Sequence, residues 1–278
     1  MTVISTRADC VTVETRIQPY EYHPASVVLT VDGVVQSTID LDDPSHLIDE
    51  YCQHLGFLID AMAPPKEPVR ALHLGAGALA MARYVAATRP RSYQQAVDID
   101  RDLIELVRRE APLAKGTKVK VRIGDAREEL SAAPDACYEL IIGDMFSGFT
   151  TPAHVTSVEF LNQVGRVLRP GGFYAANLCD GGGLAFSKGI VAAAVEMFGD
   201  VCVIADSSIL NGHRYGNLIM LCAKEKLPLV ELRRRVAGTA FPCRVVHGND
   251  LVRFVGGVRP TTDDTASTSL PPPTMRFR

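Results

Sequence analysis

The sequence predicts a doubly wound α/β protein, with a mostly parallel sheet closed by an antiparallel hairpin and preceded by a small β unit. Three observations carry this expectation. From Val69 onward, short apolar runs alternate with amphipathic stretches of period 3.6, the pattern of strands joined by crossover helices. Near the end of that region "DVCVIAD" and "GNLIMLCAK" are separated only by "SSILNGHRY". That is too short for a crossover, so these two strands should pair antiparallel. Ahead of it, "VTVETRIQ" and "SVVLTVDGVVQSTIDL" alternate with a period of two, and Asp32-Gly33 offers the positive φ that a tight hairpin needs.

Taken in order, residues 1–62 are expected to form a β-hairpin unit with a linking helix. The helix spans about 45–61, opened by "DDPSHL", where Asp43 or Ser45 would cap it. "APPKEP" (Ala63 to Pro68) is a linker. Residues 69–256 form the main domain. Its strands are "VRALHL", "YQQAVDID", "KVKVRIGD", "YELIIGD" and "FYAANL". Helices follow at "ALAMARYVAATR", at "DLIELVRREA" with Leu103, Ile104 and Val107 on one face, at 156–168, and at 184–197. "RPGG" (Arg169 to Gly172) should stop the 156–168 helix, because Pro and Gly do not extend it. After the hairpin come a helix at 228–237 and the short segment "FPCRVVHGNDLVRFV". Residues 257–278, rich in Pro, Ser and Thr, are expected to be a disordered tail. A parallel sheet closed by such a hairpin is the class I S-adenosylmethionine (SAM) methyltransferase-like, Rossmann-like arrangement.

The bulk composition narrows the function. With 278 residues the chain can bury a sizeable core, and a net charge of −3 argues against a nucleic-acid binder. The densest basic run, Arg233-Arg234-Arg235, lies beside Leu229, Leu232 and Val236 at helical spacing and reads as a solvated helix face. Seven cysteines are scattered without a C-x-x-C pair, so free buried thiols are expected and a metal site is not. No signal peptide or spanning segment is evident, which leads to the expectation of a cytoplasmic protein away from membranes.

The chemistry concentrates at the carboxyl ends of the parallel strands, where ligands of such sheets bind. "HLGAGALA" (His73 to Ala80) fits a glycine-rich turn at a helix N-terminus, with Gly75 and Gly77 allowing close approach of a ligand. The next strand ends in Asp98 and Asp100, placed to accept from ribose hydroxyls. "GDAREEL" puts Asp125 where it can accept from an adenine amino group, with the amide of Ala126 beside it. This favours an S-adenosyl ligand over a nicotinamide dinucleotide. In "ELIIGDMFSGFTTPAHVTS", Asp144 stands alone at the end of the fourth strand. It is expected either to orient and deprotonate an acceptor or to cap its loop. Ser147 and His154 are candidate substrate contacts in the same loop, and His213, Arg214 and Tyr215 lie on the hairpin turn.

These residues resemble the spermidine synthases and their spermidine synthase-like relatives, from about Val27 to Lys224. "LTVDGVVQST" is similar to the family's hairpin, whose glutamine contacts the nucleoside, here Gln36. "HLGAG", "VDID", "IGDARE" and "IIGDMFSG" resemble its glycine loop, ribose, adenine and amine-binding segments. The resemblance implies a transferase using SAM or decarboxylated SAM, a catalytic Asp144, and a homodimer. The departures are Ala78 where the family has an aspartate, Ser147 or Gly148 where it has a second, and a first-helix tyrosine replaced around Ile48. A polyamine site should be acidic. The expectation is therefore alkyl transfer, methyl first, to a small-molecule acceptor, an amine among the candidates. Aminopropyl transfer making spermidine or a related polyamine, and a non-catalytic nucleoside-binding protein, are the alternatives.

Overall fold

The computed structural model describes residues 2–8, 11–23, 25–240 and 242–273. A four-stranded antiparallel sheet comes first: β1 (Thr2–Ala8), β2 (Val11–Pro19), β3 (Ser26–Val31) and β4 (Val34–Asp40), in sequential order. Asp32 and Gly33 both adopt positive φ in the β3–β4 turn, as the Asp-Gly pair predicts. Helix α1 (Glu50–Ala61) starts later than the expected 45–61. Asp43 closes a local turn with the amide and hydroxyl of Ser45, and the N-cap position falls to Asp49. The Asp49 side chain does not cap its own helix; it accepts from the amide of Thr38 on β4 at 2.6 Å, which ties the helix to the small sheet.

The main domain then alternates β5 (Arg70–Leu74), α2 (Ala80–Thr88), β6 (Tyr93–Asp98), α3 (Arg101–Glu110), β7 (Val119–Ile123), α4 (Ala126–Ala132), β8 (Tyr138–Gly143), α5 (Val158–Val167), β9 (Leu168–Asp180) and α6 (Ala185–Met197). It ends with β10 (Asp200–Asp206), α7 (Ser207–Leu210), β11 (Gly216–Ala223), α8 (Leu229–Ala237), β12 (Cys243–His247) and α9 (Asn249–Val255). The eight strands run in the order β12-β10-β11-β9-β8-β5-β6-β7. Pairings from β9 to β7 are parallel, whereas β11 pairs antiparallel with both β9 and β10, and β12 with β10. The fold is thus the doubly wound, class I methyltransferase-like one, with its switch point between β5 and β8. "RPGG" does end α5, but β9 begins at once at Leu168, so Pro170 and Gly171 lie inside the strand, where the register with β8 shifts. Strand β12 and helices α4, α7 and α9 were not expected.

Apolar strands covered on both faces form the core. On one face Leu72, Leu74, Ile141 and Tyr174 pack with Phe160, Val164, Val191 and Ala194 of α5 and α6. On the other, Ala71, Leu140, Ile142 and Ile219 meet Leu55, Leu58 and Ile59 of α1 and Leu232 of α8. A third cluster joins the small sheet to the domain, with Ile17, Leu29 and Ile39 against Leu79, Ala82, Ile104 and Val107. In α8, Arg233 and Arg234 are exposed, the solvated face that the sequence suggests, whereas Arg235 is half-buried and pairs with Asp60 of α1 as well as with Glu231. Six cysteines are free, Cys52, Cys202 and Cys222 among them fully buried; Cys10 lies outside the described residues. Among the described residues no helix is long and apolar enough to cross a membrane.

The expectation of a disordered tail is corrected for residues 257–273, which dock on the domain. Val158 donates to the carbonyl of Thr261 at 2.8 Å, and the Asp263 carboxylate takes both terminal nitrogens of Arg127 at 2.8 and 2.6 Å. Ser269 bonds Thr151 through both backbone and hydroxyl, and Tyr215 donates to the carbonyl of Leu270. A Pro/Ser/Thr composition cannot build a core, yet hydrogen bonds and one bidentate ion pair suffice to seat it on an existing surface.

Candidate active site

A cavity of about 1030 Å³ opens at the carboxyl ends of β5, β6, β8 and β9, between the domain, β4 and α1. The residues expected to bind the nucleoside and the acceptor line it: Gln36, Gly75, Gly77, Asp98, Asp125, Ala126, Asp144, Ser147 and His154. Its two halves differ in what holds their polar groups.

At one end the glycine loop leaves β5. Gly75 has φ +85°, and a Cβ there would lie 2.0 Å from the carbonyl oxygen of Asp144. Glycine is required by backbone conformation and by contact together. Gly77, at φ +46°, faces open space, and a Cβ added there would meet no atom within 4 Å. The loop is tied by Asp98, whose Oδ2 accepts from the amides of Ala76 and Gly77 and whose Oδ1 accepts from Asp100. Burial pushes this carboxyl up, against the pull of those three amides. Asp100 caps α3 through the amide of Leu103. Asp125 caps α4 by accepting from Arg127 and Glu128, and its other oxygen meets His154 Nε2 at 2.7 Å. His154 thus sits at the Asp125 end, not beside Asp144. Ser147 is held in a tight turn by reciprocal backbone bonds with Thr150.

The other end centres on Asp144. Its amide donates to the carbonyl of Leu74 at 2.8 Å, and its Oδ1 accepts from Asn177 Nδ2 of β9 at 2.8 Å. Burial pushes its pKa up to about 6; Asn177 and Tyr51 oppose the rise, and the nearby charges of Asp49 and Asp98 add to it. The Asn177 side-chain carbonyl is buried and has no hydrogen-bond partner. Tyr51 donates to the backbone carbonyl of Gln36 at 3.2 Å, which fixes the hairpin residue against α1. Asp49, Tyr51, Asn177 and Cys179 all line the cavity here, so this wall carries two carboxylates and an unpaired carbonyl.

No family model matches the sequence. The polyamine aminopropyltransferase of Chromobacterium violaceum is 27% identical over 149 residues, 53% of this chain and 55% of that protein. The one from Vibrio vulnificus is 28% identical over 113 residues, 40% of this chain and 38% of that protein. The chain thus matches about half or less of the length of these curated relatives. The crystal structure of a probable spermidine synthase from Corynebacterium glutamicum superposes with a TM-score of 0.85 at 28% identity, over 98% of this chain and 100% of that one. The chain is spermidine synthase-like.

Within this site, three residues that sequence reasoning missed stand out. Tyr51, in the first turn of α1 and three residues after Ile48, lines the cavity. Asp49 supplies a carboxylate in the same half of the cavity as Asp144, while Ala78 and Ser147 supply none. The signal for Asp49 was present: an acid directly before a helix whose cap was expected to be Asp43 or Ser45. Asn177 was hidden inside an apolar strand, where a single amide carries no spacing signature. Arg214 and Tyr215 of the hairpin turn also reach the cavity, as do Thr268 and Pro272 of the docked C-terminal segment.

Proposed function

We propose that the chain is an S-adenosyl-type alkyltransferase with an amine acceptor, and that it transfers aminopropyl from decarboxylated SAM. The observation that carries this reading is the wall around Asp144. It presents Asp144, Asp49 and the unpartnered carbonyl of Asn177 to one cavity. Buried carboxylates and a lone carbonyl are costly without a donor, and an ammonium supplies both the charge and the N–H groups. Asp144 then takes a proton from the bound ammonium. The freed nitrogen lone pair attacks the carbon joined to the donor's sulfonium, the C–S bond breaks with its electrons passing to sulfur, and a neutral thioether leaves. Positioning of the two partners does most of the work. Gln36, Gly75, Gly77, Asp98, Asp125 and Ala126 would hold the nucleoside.

Methyl transfer from intact SAM, the first expectation from sequence, has less support. The similar proteins are named polyamine aminopropyltransferases, and Asp49 provides acidity that the changes at Ala78 and Ser147 remove. What favours it is Ala78 itself, which lines the cavity with a methyl instead of a carboxylate. The homodimer is part of the same proposal and is read by light scattering.

Calorimetric titration with SAM and with its decarboxylated form, followed by mass spectrometry after incubation with di- and triamines, tests the reading. Tighter binding of the decarboxylated donor and aminopropyl-bearing products are expected. Methylated products would overturn the aminopropyl reading; donor binding without any product would leave a nucleoside-binding protein.

A further inference from the structure

Two groups of metal-ligating side chains converge among the described residues: Glu50/His54/Cys243, whose Glu50 and His54 line the cavity, and His23/Asp40/His46, none of which does. We propose that His23, Asp40 and His46 form a binding site for a divalent cation of zinc type, which fastens the β2–β3 turn to the segment leading into α1. The three residues come from separate places: the turn after β2, the last residue of β4, and the connection to α1. That dispersal is why no ligand spacing is visible in the sequence.

The carboxylate is prepared for the role. Asp40 is 4% exposed, and its Oδ1 is held by the amides of Asp42 and Asp43 at 3.1 and 3.0 Å. Oδ2 is left facing two imidazoles, with His46 Nδ1 at 3.0 Å and His23 Nδ1 at 3.6 Å. With zinc–ligand bonds of about 2.0–2.1 Å, neighbouring ligand atoms of a tetrahedral site lie about 3.3 Å apart, between those two distances. Two imidazoles bound through Nδ1 at a tetrahedral angle place their ring centres about 5.2 Å apart. Here the His23 and His46 rings are 5.5 Å apart. Both imidazoles are about half exposed, at 43% and 49%, so a water can complete the coordination. Two nitrogens and one carboxylate oxygen suit zinc and its borderline neighbours rather than calcium or magnesium.

The backbone around the ligands is already fixed. His23 donates its amide to Tyr20 and accepts from the amide of Ser26, while His46 donates to Asp43. One group competes: the Ser26 hydroxyl lies 3.0 Å from His23 Nδ1 and must rotate away when a cation binds. Removing it should therefore tighten the site. The link to the cavity is short, because Thr38, two residues before Asp40, is the residue whose amide holds Asp49.

The test is titration of the full chain with zinc alone, by calorimetry and by thermal unfolding. One equivalent should bind to the wild type and raise its melting temperature. The double variant His23→Ala/His46→Ala, which removes half-exposed side chains only, should lose at least about tenfold in affinity, or 1.4 kcal/mol. Ser26→Ala should bind as tightly or more tightly, and Cys243→Ser should be unaffected. The proposal fails if the wild type takes up no zinc or if the double variant binds unchanged. It also fails if Cys243→Ser abolishes binding, which would assign the cation to the other cluster. Cobalt in place of zinc gives a second readout: a thiolate charge-transfer band would likewise overturn the assignment.

Discussion

Replacing Asp144 by Asn removes a charge that the fold holds at a cost, so the variant should be slower and more stable at once. Burial raises this carboxyl from 3.8 to about 6. The folded state therefore binds a proton that the unfolded state has released, and stability falls as pH rises from about 4 through 6. At 1.36 kcal/mol per pKa unit the loss is at most about 3 kcal/mol, an upper limit because the cavity admits water. His73, on the adjoining β5, works in the opposite direction. Buried and bonded to Gln94 Oε1, it is lowered from 6.5 to about 4, so its contribution is complete above 6.5 and is lost as pH falls toward 4. The two slopes overlap and oppose each other between pH 4 and 6. Urea unfolding at pH 4 and 8 separates them. Asp144→Asn should gain up to about 3 kcal/mol over wild type at pH 8 and much less at pH 4, and His73→Gln should lose the acid-side decline. Turnover of Asp144→Asn should drop about 10²- to 10⁴-fold with donor affinity kept. An Asn variant less stable than wild type at pH 8, or one that retains turnover, refutes the reasoning.

Three further outcomes follow from the same geometry. Gly75→Ala would drive a Cβ into the Asp144 carbonyl and should cost about 3 kcal/mol or more in thermal unfolding, whereas Gly77→Ala, with open space, should cost about 1 kcal/mol. Asp49→Asn should weaken a cationic acceptor by about 1–3 kcal/mol, seen as a raised KM, and should lower the pKa of Asp144 because a like charge disappears. Asp263→Asn should cost about 1 kcal/mol or less at pH 7, since its partner Arg127 is partly exposed. With the carboxyl lowered to about 2 by Arg127 and Ser157, that contribution is present above pH 4 and vanishes as pH falls through 2, which acid unfolding of both chains would reveal.

The parallel strands and the loop glycines were legible because each answers to a local rule. Apolar runs bounded by turns make buried strands, and Gly75 and Gly77 stand where the chain must turn under a helix. The closing hairpin was legible from loop length alone. What escaped depended on partners distant in sequence. Asp49 looked like one acid among several until its bond to Thr38 showed where α1 starts. Asn177 is a polar residue inside an apolar strand, and only the neighbouring β8 gives it Asp144 to hold. The C-terminal segment reads as disordered by composition, and no local pattern announces that Arg127 awaits Asp263.

The contact between Gly75 and the Asp144 carbonyl bears on how this site can change over generations. It welds the glycine loop, proposed to hold the nucleoside, to the residue proposed to face the acceptor, so neither can be redesigned without disturbing the other. The floor is inherited as a unit. Latitude lies in the surrounding walls, namely the 145–156 turn, the start of α1 and the docked residues Thr268 and Pro272. A lineage seeking a new acceptor would find its tolerated substitutions there, while position 75 stays glycine whatever the substrate becomes.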